Sequence, residues 1–193
     1  MATTSHDFRF HLCFMLALFG KFAHSRQLSL SKCPKLHIQW NQLIQTNLHH
    51  LCRMSGQFPP QCGFETTDLQ FPLLVLNTND HNSPTIVHEI LQQIFCFLSK
   101  DHPWNSTCIE KLQTGLHEQI TELETCLGTA EMQKGLMNYE NTASYSSILQ
   151  VKKYFQRMNS FLTDEQHSQC AWEEIRLEMK RCFLLITQLL KKL

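Results

Sequence analysis

The chain has 193 residues, enough for one ordinary domain and too few for two comfortable ones, and 42% are hydrophobic against 18% charged, which supports a packed core and argues against wholesale disorder. Lys plus Arg and Asp plus Glu each count 17, so there is no broad basic field to hold a phosphate backbone, and nucleic-acid binding is disfavoured. Nine cysteines are many for a reducing compartment, whereas six Gly and six Pro are few for a collagen-like or many-stranded chain.

The first element is an apolar run over residues 10–19, FHLCFMLALF, with Arg9 ahead of it. Its length suits the h-region of a secretory signal and falls short of the ~20 residues a membrane span needs. Ala23-His24-Ser25 supplies small residues for a cleavage site, so residues 1–25 are expected to be a signal peptide and residues 26–193 a single domain. Cleavage after Ser25 removes Cys13 and leaves eight cysteines, an even number on an oxidising route. The mature chain is expected to be secreted and extracellular, with no membrane insertion.

Behind the leader, apolar residues recur at helical spacing. Leu36, Trp40, Leu43, Ile44, Leu48 and Leu51 form the stripe of a first helix. Residues 71–76 alternate weakly, as a strand would. Ser83-Pro84 supplies a cap and a first helical position for a second helix carrying Val87, Ile90, Leu91, Ile94 and Leu98. Ile109, Leu112, Leu116, Ile120, Leu123 and Leu127 mark a third, with Gly128 as its expected stop. Ser146 or Ser147 is placed to cap a fourth, with Ile148, Val151, Phe155, Met158 and Leu162, and the fifth carries Trp172, Ile175, Met179, Phe183, Ile186 and Leu190. A long first connection over residues 55–83 and a short one over residues 99–104 give an all-α reading: a five-helix, up-up-down-down bundle of the kind helical cytokines use.

Catalytic signatures are missing. The chain has no G-x-G-x-x-G, no phosphate-binding G-x-x-x-x-G-K-[ST], no H-E-x-x-H and no G-x-S-x-G, so no enzyme and no cofactor is expected. His49, His50 and Cys52 are the densest set of metal-binding side chains, but no C-x-x-C accompanies them and no metal site is expected. The pairs Glu122/Glu124 and Glu173/Glu174 read as solvated helix faces. Interface chemistry is clearer. At 100° per residue the fifth helix sets Leu177 and Leu184 on the arc opposite its core stripe, among Glu173, Lys180, Arg181 and Gln188, which makes a small apolar patch with a charged rim. Asn105-Ser106-Thr107 is the sole N-x-[ST] sequon with a permitted middle residue, so Asn105 is the expected glycosylation site.

Cys170-Ala171-Trp172-Glu173, followed by Ile175-Arg176 and Arg181, resembles the last-helix signature of the type I interferons. Val151-Lys152-Lys153-Tyr154-Phe155-Gln156-Arg157 is similar to that family's fourth helix, and His88-Glu89-Ile90-Leu91-Gln92-Gln93-Ile94-Phe95 to its second. The three blocks occur in family order, and the resemblance covers about residues 33–190. It implies a helical cytokine domain with the disulfides Cys33–Cys126 and Cys62–Cys170; spacing alone cannot choose them, because eight cysteines allow on the order of a hundred full pairings. The hairpin between helices two and three adds an expectation of its own, a third disulfide Cys96–Cys108, and leaves Cys52 and Cys182 without partners.

The resemblance further implies a secreted antiviral ligand, a monomer, that binds and brings together the two chains of the interferon alpha/beta receptor and triggers JAK-STAT signalling. For the first receptor chain it points to Arg176, Arg181 and Leu185, with Leu177, Lys180 and Leu184 beside them. For the second it points to Phe95 and Lys152. Departures from the family pattern are also visible: Gly63-Phe64-Glu65-Thr66 offers no receptor-facing arginine, and Gln113 and His117 stand where tyrosines are frequent. The competing readings are another secreted helical cytokine, such as a type III interferon or an interleukin-10 relative, and a small secreted enzyme or carrier.

Overall fold

A computed structural model describes residues 36–54, 59, 60, 62, 68–77, 83–137 and 142–191, with backbone alone at 36–39, 126–137 and 142–144. The expected leader lies outside the described residues. Those residues form five α-helices and one short 3-10 helix, with no strand among them: α1 (Leu36–Arg53), η1 (Leu73–Asn77), α2 (Ser83–Leu98), α3 (Ser106–Met137), α4 (Thr142–Asp164) and α5 (Gln169–Leu190).

Cross-helix contacts fix the directions. Trp40 Nε1 donates to Glu122 Oε2 at 3.1 Å near one end of α1, and the Asn105 N–H donates to the Met54 carbonyl at 2.9 Å just past the other, so α1 and α3 are antiparallel. His88 against Glu124 at 2.7 Å and Gln113 Nε2 donating to the Leu98 carbonyl at 3.3 Å make α2 and α3 antiparallel as well. Along α2 and α4, contact numbers rise together, from the Glu89–Lys152 ion pair to the hydrogen bond Lys100 donates to Asn159. Helix α4 ends at Asp164 and α5 starts at Gln169, and Tyr154 bonds Glu178 at about equal distances either side of that short turn, so α4 and α5 are antiparallel. Thus α1, α2, α3 and α5 run up, up, down and down, and α4 lies parallel to α2.

The stripes read from the sequence meet in one core. Trp40, Ile44, Leu91, Ile94, Leu116, Val151, Phe155, Met179 and Phe183 are all buried there. A polar pair joins α1 and α3 across it: Asn47 Nδ2 donates to Gln119 Oε1 at 2.7 Å. The Asn47 amide lies against Gly115 of α3, where a Cβ would stand 2.2 Å from Asn47 Oδ1. A larger residue at 115 would push the Asn47 amide off its bond to Gln119.

Four expectations are corrected. Helix α3 runs on to Met137 rather than stopping at Gly128. A glycine costs a helix only about 1 kcal/mol, no proline follows, and Ala130, Glu131, Met132, Gln133 and Lys134 are good helix formers. Helix α4 starts at Thr142, earlier than the expected cap at Ser146 or Ser147, so only residues 138–141 separate it from α3. Residues 71–76 are not strand-like: Val75 turns into the core while Leu73 and Leu74 turn out together, a period of three rather than two.

The fourth correction concerns Cys96–Cys108. Cys108 is a free thiol, and Cys96 is disulfide-bonded to a partner outside the described side chains. The observed register sets Cys96 level with residue 115 or 116, a climb of about 11–12 Å along α3 from Cys108, whereas a disulfide needs Cα atoms within about 7 Å. The connection over residues 99–105 does not turn back at once; it carries Trp104 onto Trp172, ring centres 4.9 Å apart, and α3 begins beyond the end of α2. Cys62 and Cys170 are joined, with Cα atoms 5.2 Å apart. Cys33–Cys126 lies outside the described residues.

Candidate functional site

Helix α5 starts cleanly because Ser168 caps it, its Oγ accepting from the Ala171 N–H at 3.2 Å. From that start the helix alternates between core and solvent. Of the six residues singled out for the first surface, Leu177 is half-buried, Lys180 and Arg181 are exposed, and Leu184 is 48% exposed; these four share the solvent side. Leu185 is buried between Cys182 and Leu189 on the inner arc. Arg176 is only 8% exposed, and its Nε donates to Glu173 Oε2 at 2.9 Å. A guanidinium so far from water needs a carboxylate partner, which explains why Glu173 is buried rather than solvated as its place on the outer arc suggested.

Beneath the exposed strip lies a polar chain. The Tyr154 hydroxyl of α4 donates to Glu178 Oε2, and Arg181 Nη1 donates to Glu178 Oε1. Glu178 and Tyr154 are buried, while half of the Arg181 side chain faces water. The arginine is thus tethered at its inner edge, with further N–H donors available outward. Burial, reinforced by Cys182 and Glu178, pushes the Tyr154 phenol far above its ordinary range. Burial, with the Glu178 carboxylate adding, does the same to the Cys182 thiol, so that cysteine is a core group and no nucleophile. Glu174 is also pushed up, first by burial and then by Glu178.

The short helix η1 flanks this strip. Arg157 Nε and Nη2 donate to the carbonyls of Leu69 and Gln70, both at 2.9 Å, and the Phe71 ring meets Tyr154 edge-on at 5.4 Å. Gln70 has φ of 53°, a left-handed turn steadied by the bond its N–H donates to Asp68 Oδ1 at 2.8 Å. Leu73 and Leu74 stand fully outward on this clamped turn. The sequence reading missed them because it took residues 71–76 for a weak strand; the usable signal was the proline at 72 followed by four consecutive apolar residues.

A second surface runs along α2 and α4. Lys152 is half-exposed and lies 3.6 Å from Glu89, which also accepts from Gln93 Nε2 at 2.7 Å. Phe95, expected here, is buried. Tyr145 and Leu149, one turn apart on α4 and off its buried stripe, are exposed and were not anticipated. Lys100 sits over the Phe97 ring, 4.9 Å from its centre, and burial lowers its pKa.

Asn105 is exposed and caps α3, its Oδ1 accepting from the Cys108 N–H at 3.0 Å, which leaves its Nδ2 outside the cap. Glu122 and Glu124, read as solvated, are the partners of Trp40 and His88. Among the described residues no group of three metal-binding side chains is close enough to hold an ion, and no helix is long and apolar enough to cross a membrane.

The family model of the interferon alpha/beta domain matches residues 36–193. Interferon alpha-2 of Equus caballus is 34% identical over 183 residues, covering 91% of this chain and 95% of its own. Interferon beta of Tachyglossus aculeatus aculeatus is 35% identical over 154 residues, covering 76% and 79%. Among solved structures, zebrafish interferon 2 superimposes with a TM-score of 0.60 at 22% identity, over 78% of this chain and 96% of that one, a likeness of fold.

Proposed function

The chain belongs to the type I interferon family, whose members are cytokines and not enzymes, and from that premise we propose that it binds both chains of the interferon alpha/beta receptor and brings them together. Joining the receptor chains triggers JAK-STAT signalling and an antiviral state. No chemistry by the ligand is required, because tethering raises the effective concentration of one receptor chain around the other. The observation that carries this reading is the match of the interferon alpha/beta domain to residues 36–193, nearly the whole expected mature chain.

The two surfaces divide the work. Arg181, Lys180, Leu177 and Leu184 of α5 meet the first receptor chain, with Arg176 and Leu185 supporting them from the buried side. Lys152 of α4 and Phe95 of α2 serve the second, Phe95 from beneath. The chain is secreted as a monomer after loss of residues 1–25, carries Cys33–Cys126 as well as Cys62–Cys170, and bears a glycan on Asn105.

The test is direct. The oxidised chain from Arg26 is titrated against the ectodomains of both receptor chains from the source animal, alongside STAT phosphorylation and protection of matched cells from a virus. Binding to both chains with protection is expected. A folded, oxidised sample that binds neither chain overturns the reading and favours another secreted helical cytokine.

A further inference from the structure

We propose that Tyr154 and Glu178 are positioning residues for Arg181: the α4 phenol occupies one oxygen of the Glu178 carboxylate, so the arginine is held at a single point and keeps the rest of its fork for the first receptor chain. The proposal rests on the functional reading above and deepens it. Tyr154 is wholly buried and Glu178 is 1% exposed, so neither touches a partner, and their influence on binding passes through Arg181, whose side chain is half in water. Their bonds divide the carboxylate between them. Tyr154 donates to Oε2, and Arg181 Nη1 donates to Oε1. Burial keeps the phenol protonated, so it serves as a donor throughout the physiological range.

Occupancy of Oε2 decides how the arginine sits. A guanidinium and an uncommitted carboxylate favour two parallel N–H···O bonds, fork on fork. Such a pair here would draw the Arg181 head toward the core and use two of its donors there. With the phenol on Oε2, the Oε1 contact alone holds the arginine, and its other N–H groups are left for an acidic group on a partner. A neighbouring carboxylate shows the same selection. Glu174 lies one turn before Glu178 on α5; burial and then Glu178 push its carboxyl up while Arg181 pulls it down, so both charges are near. Yet Glu174 Oε1 is buried with no hydrogen-bond partner among the described residues. Arg181 thus bonds the carboxylate that the phenol braces and leaves that oxygen of Glu174 bare. The arrangement also divides the work of α4. Lys152 stands half-exposed beside Glu89, while Tyr154 reaches the core. One helix therefore serves the second surface directly and the first through a buried bond.

The test is a double-mutant cycle in the oxidised chain, with Tyr154→Phe, Arg181→Ala and the two together measured against both receptor ectodomains. Tyr154→Phe is expected to raise the first-chain Kd about threefold or more, to leave the second-chain Kd unchanged, and to add nothing once Arg181 is replaced. An unchanged first-chain Kd overturns the proposal. So does a penalty of equal size with and without Arg181, because that is the mark of lost packing rather than of a lost tether. If Tyr154→Phe weakens both partners, nitrogen NMR of the wild-type guanidinium decides. An Arg181 head held by Glu178 shows separate signals for its two Nη groups, identified by their loss in Arg181→Ala; a single averaged signal overturns the proposal. Failure of the wild-type chain to bind the first receptor chain is a different result and removes the functional reading itself.

Discussion

The two solvent-facing surfaces are built to different tolerances. Along α5 the two arginines are tied to buried carboxylates, Arg176 to Glu173 and Arg181 to Glu178, and the second of these is held again by Tyr154. Along α2 and α4 the corresponding ion pair, Lys152 with Glu89, is long at 3.6 Å and half in water, and the exposed apolar groups, Tyr145 and Leu149, stand without a clamp. Side chains ordered before a partner arrives lose less entropy on binding. The α5 surface is therefore the pre-organised one, suited to a slowly dissociating contact, and the α2/α4 surface is the adaptable one.

The largest effect that would break this contrast is on stability. Glu173→Ala strands the buried Arg176 guanidinium, and chemical denaturation is expected to show a loss of about 3–5 kcal/mol; a loss near that of an exposed substitution would mean that the α5 cations are not tied down. Tyr154→Phe removes one of two donors to a buried carboxylate and should cost about 1–3 kcal/mol. It should also change the alkaline limb. Burial keeps the Tyr154 phenol and the Cys182 thiol protonated in the folded chain, whereas unfolded they ionise from ordinary values of 10.0 and 9.0. The folded state then binds more protons than the unfolded one, so stability is full below pH 9 and falls as pH rises above it. Tyr154→Phe is expected to flatten the part of that fall that begins near pH 10.

Smaller effects sharpen the contrast. Arg181→Glu should raise the first-chain Kd more than tenfold, about 1.4 kcal/mol or more, and leave the second-chain Kd in place; surface plasmon resonance with both ectodomains reads the two together. Lys152→Ala should be the mildest, at most about 1 kcal/mol in stability because its ion pair is half-exposed, and any shift in second-chain Kd should shrink as salt is raised.

How much of this was legible depends on what each residue reports. The core stripe of α5 was readable because Trp172, Ile175, Met179, Phe183, Ile186 and Leu190 are spaced by the helix itself, and all are buried. Leu184 and Lys180 were readable on the outer arc by the same arithmetic. Arg176, Glu173 and Glu178 were not, because their burial is decided by what packs over α5. The Cys96–Cys108 error has the same root: helix ends were visible, but the offset between α2 and α3 is set by Trp104 seeking Trp172, a contact between residues 68 apart in the chain. Gly128 misled because a residue that permits a stop does not impose one. Leu73 and Leu74 were hidden by a pattern too short to separate period two from period three.

The bond between Cys62 and Cys170 spans 108 residues and encloses α2, α3 and α4 within one covalent ring. A protease that makes a single cut at any peptide bond inside that ring opens the loop without releasing a fragment. Both surfaces then stay on one particle, and the nick shows only on a reducing gel, where the chain divides in two. Persistence of the chain as one particle is thus set less by the first cut than by the second, or by loss of the Cys62–Cys170 bond.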